Sequence, residues 1–181
     1  MVVFDATYVV PLITPSLKTP PRDEHNNPIP HYRERLEGLV ARLDESRTKI
    51  ILPSPALSEV LIRAEDAAAE YLEALRGMSA LKVESFDEKA AIEAAILSRD
   101  AIQRLGDKKA GSQKGWQQVK FDRQVVAIAK VHHATTIYTQ DKGLAEFARQ
   151  AGITTIRIEQ LPLPIQHAQA KLFQLPEGKK S

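Results

Sequence analysis

Four acidic residues stand where a predicted strand ends or where the next helix begins. Asp5 comes directly after Val-Val-Phe, and Asp141 follows Ile-Tyr-Thr-Gln. Glu59 lies in the first turns of the helix predicted after residues 50–52, and Asp122 begins the helix that leads into the strand before Asp141. Because ligands of open α/β sheets bind at the carboxyl edge of the strands, we expect the four carboxylates to converge on one site there.

Such a site would hold several like charges, which is costly unless some carboxyl groups are protonated or a divalent cation neutralises them. A hard cation with oxygen ligands suits this set of side chains. A single acid at a strand end is more often a helix cap or a turn former, and Asp122 and Asp141 could each cap the helix that follows. The shared placement of all four acids favours a functional cluster.

The elements that would position these acids alternate along the chain. Short β-rich runs at residues 2–4, 50–52, 136–139 and 154–158, with a weaker one at 81–83, are separated by helical patterns. The alternation predicts an α/β fold in which a mostly parallel sheet of four or five strands is flanked by helices.

The helical segments carry apolar residues at helical spacing. One stripe consists of Leu36, Leu39, Val40 and Leu43. A later stripe consists of Phe121, Val125, Ile128 and Ala129. Ser54 can cap a helix with Pro55 at its first position, and this helix is expected to continue to Gly77. Ser85 and Glu88 have the spacing of a capping box before the next helix.

Two loops and a tail interrupt this pattern. Residues 14–31 carry five prolines and the pair Asn26-Asn27, which predicts an extended loop directly after the first strand. Residues 106–115 form a second, basic loop, and prolines at 162, 164 and 176 indicate a C-terminal tail. The chain is therefore divided into a domain over residues 1–160 and a tail over residues 161–181.

Charge and composition bound the class of protein. The 181 residues carry a formal net charge of +2 and include no cysteine, which excludes a disulfide framework and a cysteine nucleophile. Basic residues concentrate at Lys108, Lys109, Lys114, Lys120 and Arg123, and both a phosphate-binding loop and a solvated loop fit this stretch. With no apolar run near the roughly 20 residues of a membrane span and no secretory signal, we expect a cytoplasmic protein without a membrane segment.

Four motifs, taken in order, resemble the PIN-domain family. They are Val-Val-Phe-Asp-Ala-Thr, Pro-Ser-Pro-Ala-Leu-Ser-Glu-Val, Lys-Phe-Asp-Arg-Gln-Val-Val-Ala and Ile-Tyr-Thr-Gln-Asp-Lys-Gly-Leu. The resemblance covers about residues 1–160 and implies an α/β/α sandwich. The positions that match the family's acidic quartet are Asp5, Glu59, Asp122 and Asp141. Thr7 and Thr139 match the small hydroxyl residues that often accompany the quartet.

The resemblance implies a metal-dependent ribonuclease, commonly the toxin of a VapC-type toxin–antitoxin pair. RNA would then be the substrate and a cognate antitoxin a partner. Hydrolysis of a phosphodiester needs an activated water, a neutralised phosphate and a stabilised leaving oxygen, which one or two Mg²⁺ or Mn²⁺ ions can supply. Asp5 and Asp141 would be the principal ligands and Asp122 a third, while Glu59 would bind through water or orient the attacking water.

Basic residues beside the acids are candidates for contacts with the RNA backbone. These are Lys120, Arg123 and Lys142. Each could draw a phosphate towards an otherwise negative site, or could simply be solvated. The loops at 14–31 and 106–115 and the tail go beyond the compact toxin pattern.

Other readings of the chain differ in testable features. A haloacid-dehalogenase phosphatase also begins with a strand that ends in an acid, but it requires a second acid where this chain has Thr7. A receiver domain would carry an acidic pair after the first strand, where this chain has Asp5 alone. A PIN-like scaffold that binds RNA or protein without cleavage remains the main alternative. The sequence does not separate RNA from DNA as substrate, since metal-assisted phosphodiester hydrolysis does not depend on the 2′-hydroxyl.

A homodimer is also expected. The resemblance implies it, and the apolar stripe at residues 36–43, together with residues 71–75, exceeds what one sheet face would be expected to bury.

Overall fold

The computed structural model describes residues 1–14, 17, 19–106 and 115–164. Lys108, Lys109 and Lys114 of the basic loop, and the tail from residue 165 onwards, lie outside these residues. The proposed division into a domain and a tail therefore stays a prediction, although Leu161, which the division assigned to the tail, is buried in the core.

Five strands form one sheet in which every pairing is parallel. They are β1 (Val2–Phe4), β2 (Ile50–Pro53), β3 (Leu81–Glu84), β4 (Thr136–Tyr138) and β5 (Thr154–Ile156). The strand order is β3-β2-β1-β4-β5. The α/β prediction is confirmed, including its weakest strand, β3, which lies at one edge and leaves Val83 exposed.

Helices cover both faces of the sheet. Among the described residues they are α1 (Ala6–Ile13), α2 (Tyr32–Glu45), α3 (Ser54–Ala64), α4 (Ala68–Arg76), α5 (Glu88–Leu105), α6 (Trp116–Val131) and α7 (Lys142–Gln150). The core is split into two clusters: α1 to α4 pack on one face, and α5 to α7 pack on the other. In β1, Val2 and Phe4 join the first cluster and Val3 joins the second, because successive side chains of a strand point to opposite faces. The result is the expected α/β/α sandwich.

The central position of β1 determines where a ligand would bind. From β1 the chain proceeds to β2 and β3 on one side and only later adds β4 and β5 on the other, so the strand order reverses at β1. The register pairs Phe4 with Tyr138, and the Asp5 amide donates to the Tyr138 carbonyl at 3.1 Å. Open α/β sheets bind ligands at such a reversal, at the carboxyl edge, which is where Asp5 and Thr139 stand.

Helix α1 was missing from the sequence prediction, so the 14–31 loop does not directly follow the first strand. The segment Ala-Thr-Tyr-Val-Val-Pro-Leu-Ile is apolar around almost its whole circumference and includes Pro11, so no polar face distinguishes it as a helix. It forms a helix because it is packed in the core, where Ala6, Tyr8 and Val9 are inaccessible to solvent.

Two predicted helix starts were wrong in detail. Helix α3 begins at Ser54 itself, and the Ser54 hydroxyl accepts a hydrogen bond from the Phe86 amide at 3.1 Å instead of capping its own helix. Helix α5 is capped by Asp87, whose carboxylate accepts from the Ala90 amide at 2.9 Å, and not by a box of Ser85 and Glu88. A tertiary contact redirects Ser54, whereas the start of α5 is set by a local cap two residues after Ser85.

Two further boundaries differ from the prediction. Asp122 is the seventh residue of α6 and not its first, because nothing in the preceding Trp-Gln-Gln-Val-Lys-Phe interrupts a helix. Asp122 is therefore not a cap residue. The helix expected from Ser54 to Gly77 is broken by a short 3-10 turn at Glu65–Ala67, where Glu65 has a φ of 49°.

The apolar stripe of α2 is used inside a single subunit. Leu36, Leu39 and Leu43 are all buried in the first core cluster, and so is Leu75 of α4. The argument for a dimer from surplus apolar surface was therefore wrong, because this surface is already covered.

The 14–31 loop contains an ordered turn. Arg22 and Pro28 form an antiparallel bridge, and the Asp23 carboxylate accepts from the amides of His25 and Asn27 at 2.9 and 2.8 Å. Ile29 anchors the turn in the core.

Within the described part of the chain, no helix is long and apolar enough to cross a membrane.

Candidate active site

The four predicted acids line one small cavity at the carboxyl edge of the sheet. Asp5, Glu59, Asp122 and Asp141 come from four separate segments of the chain and meet around a space of about 70 Å³. The strand ends supply Asp5 and Asp141, and the facing helices α3 and α6 supply the other two. The structure thus brings together the residues that the sequence analysis grouped.

Asp5 is buried and held by two threonine hydroxyls. Thr7 and Thr139 both donate to its Oδ2 atom, at 2.9 and 3.0 Å. Asp5 occupies the position before α1, yet its side chain makes no capping hydrogen bond to that helix. Its carboxylate lines the cavity, which is the arrangement expected of a functional acid.

Burial raises the pKa of the Asp5 carboxyl above its ordinary value, and the negative charge of Glu59 raises it further. The hydrogen bonds from Thr7 and Thr139 act in the opposite direction. Asp5 is therefore a carboxylate whose charge is poorly solvated, and a cation placed beside it would lower its free energy.

The two hydroxyls also connect Asp5 to the end of β4. The Thr139 hydroxyl accepts from the Asp141 amide at 2.9 Å while donating to Asp5, and the Thr7 hydroxyl accepts from the Gln140 amide at 2.9 Å. Asp141 in turn caps α7, since its Oδ1 accepts from the Leu144 amide at 2.9 Å. The capping role considered for Asp141 is therefore present, together with its place in the cavity lining.

Gln140 is a residue that the sequence analysis missed. Its side chain accepts from the Ile158 amide at 2.7 Å and donates both to the Glu159 carboxylate and to the Arg22 carbonyl, each at 3.0 Å. It therefore holds the 14–31 loop and the segment after β5 beside the acids. Its three partners are distant in the chain, so no local sequence pattern around Gln140 predicts this role.

Glu59 forms an ion pair with Arg63, one helical turn further along α3. Both side chains are about half exposed, at 48% and 49%. An exposed pair at this spacing contributes only about 0.3–0.5 kcal/mol, so Glu59 can exchange this partner for another at little cost. Arg63 also lines the cavity and was not singled out from the sequence.

A second cavity adjoins the first along the helices. Its volume is about 260 Å³, and Glu59, Asp122 and Asp141 line it as well. Phe121 lies on its wall and is 51% exposed. The prediction that Phe121 belongs to the core stripe of α6 was wrong, although Val125, Ile128 and Ala129 are buried as expected.

The three basic candidates are in different environments. Arg123 is buried, with its guanidinium 5.2 Å from the Trp116 ring centre and 5.5 Å from that of Phe147, so it packs inside the protein and does not face an incoming phosphate. Lys120 is exposed and lies over the Trp116 ring at 5.6 Å. Lys142 is exposed and donates to the Glu24 carbonyl at 3.1 Å. Lys120 and Lys142 remain accessible to a polyanion.

The donor set at this site fits a hard divalent cation. The cavity is lined by carboxylate and hydroxyl oxygens, and its most buried carboxylate has a pKa raised by desolvation. With the side chains in their present rotamers, no three His, Asp or Glu side chains of the described residues are arranged to share one ion. Rotation of Glu59 away from Arg63 would bring its carboxylate inwards at little cost, because the ion pair is half exposed.

Sequence comparisons do not place the chain in a family. No family model matches it, and no curated protein matches its sequence. Solved structures with a similar fold do exist, however.

One is a chain of the FitAB complex bound to an IR36 DNA fragment, with a TM-score of 0.55 and 19% identity over 90% of this chain and 98% of that chain. Another is from the DNA-bound VapBC complex of Salmonella typhimurium, with a TM-score of 0.54 and 19% identity over 87% of this chain and 97% of that chain. A third is Mycobacterium tuberculosis VapC20, a toxin that cleaves the sarcin-ricin loop, with a TM-score of 0.51 and 15% identity over 90% of this chain and 100% of that chain.

These similarities extend over almost the whole of each chain and show a shared fold. The chain has the fold of the PIN-domain toxins, as the order and spacing of its four motifs implied.

Proposed function

We propose that this protein is a metal-dependent endoribonuclease that hydrolyses phosphodiester bonds at the cavity lined by Asp5, Glu59, Asp122 and Asp141. The observation that supports this proposal is the convergence of these four acids at the strand-order reversal. The fold shared with VapC20 agrees with it. Mg²⁺ or Mn²⁺ is the cofactor that this oxygen-rich site suits.

Each acid has a part in this proposal that follows from its position. Asp5, Asp122 and Asp141 would hold the metal, and Thr7 and Thr139 would fix the orientation of Asp5 through their hydroxyl donors. Glu59, released from Arg63, would accept a hydrogen bond from the attacking water. The bound metal would neutralise the phosphate and activate this water.

In the reaction, the water oxygen forms a bond to phosphorus and the bond from phosphorus to the leaving oxygen breaks. The attacking water gives up one proton, and the leaving oxygen takes up one proton, so that one water is consumed for each bond cleaved. Lys120 and Lys142, both exposed, would attract the RNA backbone. Arg123 is assigned no contact with RNA in this proposal, because it is buried.

Metal titration of protein stripped with chelator tests the proposal. We expect cleavage of a long RNA to appear with added Mg²⁺ or Mn²⁺, and to fall at least a hundredfold in the Asp122→Asn variant. Asp44→Asn, an exposed acid at the far end of α2, is the matched control and should leave cleavage unchanged. RNA binding without any cleavage at saturating metal would instead identify the protein as a non-catalytic scaffold.

Cleavage of RNA and of single-stranded DNA of the same sequence, compared side by side, tests the substrate. The proposal requires the RNA to be cut in preference to the DNA. Equal rates on both would assign the protein to the less specific nucleases.

We further propose that a cognate antitoxin binds this protein, as the FitAB and VapBC complexes with the same fold suggest. Expression of the protein alone should arrest growth, and co-expression of the product of the adjacent gene should relieve the arrest. If Asp5→Asn arrests growth as strongly as the parent, the arrest does not come from this site.

A homodimer is proposed from the resemblance alone, since the α2 stripe is buried within one subunit. Sedimentation at micromolar concentration checks it, and a monomer there would remove it.

A further inference from the structure

The second cavity is a groove between two helices that lies beside the acids. On α3 its wall includes Ser58, Glu59 and Ile62, and on α6 it includes Gln118, Phe121 and Asp122. Residues three and four positions apart lie on one face of a helix, so each helix turns one continuous face to the groove. We name this space, of about 260 Å³, the α3–α6 groove.

The rim of the groove is apolar although it faces solvent. Ile62 is 73% exposed and Phe121 is 51% exposed, one on each helix. Large apolar side chains at the mouth of a cavity lined by charged groups are a feature of binding sites. Phe121 is also the residue immediately before Asp122, so its ring is positioned by the same turn of α6 as the acid.

We propose that the α3–α6 groove binds one unpaired nucleobase of the RNA, with Phe121 stacking on the base while the adjacent phosphate faces the acids. This inference rests on the proposed function, because it takes the scissile phosphate to lie at Asp5 and Asp141. It assigns a role in substrate binding to Phe121, which the proposed function leaves unused.

The chemistry of the groove fits a base better than it fits a phosphate. Glu59 and Asp122 line it and would repel an anion that arrives without a cation, whereas Ile62 and Phe121 offer an uncharged surface. Gln118 and Ser58 carry side chains that both donate and accept hydrogen bonds, as the edge of a base requires. The volume lies below the roughly 300–1,000 Å³ of sites for larger small molecules, which suits one ring system.

A base in a duplex is already stacked on its neighbours and cannot also stack on a side chain. A groove that works through Phe121 therefore selects loops, bulges and single strands. Stacking of this kind tolerates different bases, since each base has a π face. We therefore expect discrimination between paired and unpaired RNA to be stronger than discrimination among the four bases.

The test measures binding of a labelled single-stranded eight-nucleotide RNA and of the same RNA with one abasic position. The Asp5→Asn protein in Mg²⁺ is used so that the RNA stays intact. We expect the abasic RNA to bind about tenfold more weakly when the abasic position occupies the groove, which is within the range measured for stacking on one aromatic side chain. In the Phe121→Ala variant of this protein, the tenfold preference should disappear.

Two further variants separate stacking from folding. Phe121→Trp keeps an aromatic face and should retain the preference for the intact RNA. Ile92→Ala removes another exposed apolar side chain, on α5 outside the groove, and should change nothing. If Phe121→Ala weakens both RNAs equally, or neither, the base-binding inference is wrong, and a protein partner becomes the better occupant of this rim.

The outcome also separates this inference from the proposed function. If the parent cleaves RNA and the Phe121→Ala variant cleaves it with an unchanged KM, the base-binding inference is wrong and the proposed nuclease function stands. A Phe121-dependent preference in a protein that never cleaves RNA would support base binding and overturn the nuclease.

Discussion

The two walls of the cavity lined by the four acids are built in opposite ways. The strand wall consists of Asp5 and Asp141, which the Thr139 hydroxyl joins from behind. It is held by hydrogen bonds at 2.9–3.0 Å, and both Asp5 and Thr139 are buried. The helix wall, made of Glu59, Phe121 and Asp122, borders the open groove, and its Glu59 has an exposed arginine as partner. The side chains of the strand wall are held in position by their hydrogen bonds, while the Glu59 side chain of the helix wall can rotate.

This difference agrees with the roles proposed for Asp5, Asp141 and Glu59, while Asp122, proposed as a third ligand, lies in the helix wall. Ligands of a metal need constant positions, which buried and hydrogen-bonded side chains provide. A residue that orients water, or one that contacts a variable RNA, benefits from freedom to rotate. Substitutions in the strand wall should therefore affect stability and activity together, while those in the helix wall should affect activity alone.

The largest effect is expected from Asp5→Asn. RNA cleavage in Mg²⁺ should fall by at least a hundredfold, because the charge of a central ligand is lost while the size of its side chain is kept. The rate of cleavage of a long RNA measures this change. A variant that cleaves at the rate of the parent would exclude Asp5 as a ligand.

Thr139→Val should reduce both stability and cleavage. The hydroxyl that donates to Asp5 and accepts from the Asp141 amide is removed from a fully buried position. Leaving these groups unsatisfied costs about 1–3 kcal/mol, and cleavage should fall about tenfold as the two acids lose their relative position. Chemical denaturation and initial rates test both effects, and Thr139→Ser, which keeps the hydroxyl, should restore most of the activity. Normal cleavage by the valine variant would show that the strand wall is not fixed by this hydroxyl.

The pH dependence of stability should reveal the buried charge of Asp5. The pKa of the Asp5 carboxyl is raised on folding, so the folded protein keeps this proton to a higher pH than the unfolded chain does. The free energy of unfolding therefore falls as the pH rises from the unfolded pKa through the folded pKa. Asp5→Asn without metal should therefore be more stable than the parent at neutral pH, by on the order of 1 kcal/mol.

This stability difference should shrink as the pH is lowered towards 4, where the parent carboxyl becomes protonated. Unfolding of both proteins in urea between pH 4 and pH 8, in chelator, measures it. A variant that is less stable than the parent at pH 8 would point to a structural role for the Asp5 charge.

The smallest effect is expected from Arg63→Gln. An exposed ion pair contributes little, so the melting temperature should change by no more than about 1–2 °C, as expected for a loss below roughly 0.5 kcal/mol. Cleavage should stay equal or rise slightly as Glu59 is released. Arg76→Gln, which removes an exposed pair with Glu73 on α4, is the matched control. Loss of cleavage in Arg63→Gln alone would show that the arginine takes part in the reaction and does not merely hold Glu59.

Residues at strand ends were the most predictable part of the molecule. A strand is marked by a short apolar run, and an acid directly after it is local information, so Asp5 and Asp141 could be assigned to one edge of the sheet without coordinates. Helix α1 was not predicted, because a helix that is apolar around its whole circumference shows no apolar stripe at helical spacing. Only its packing in the core reveals it. Phe121 was misassigned for the opposite reason: its spacing is that of a core residue, but its side of α6 meets the groove.

The sequence by itself determined the alternation of strands and helices, the parallel sheet and the four acids, because these depend on periodicity and on neighbours along the chain. The tertiary structure decided which side chains face one another. It alone shows the Thr7 and Thr139 hydroxyls on one oxygen of Asp5, the Glu59–Arg63 pair beside the cavity, the burial of Arg123 and the contacts of Gln140. Such contacts join residues that are distant in the chain or depend on a rotamer, and neither leaves a pattern in the order of the amino acids.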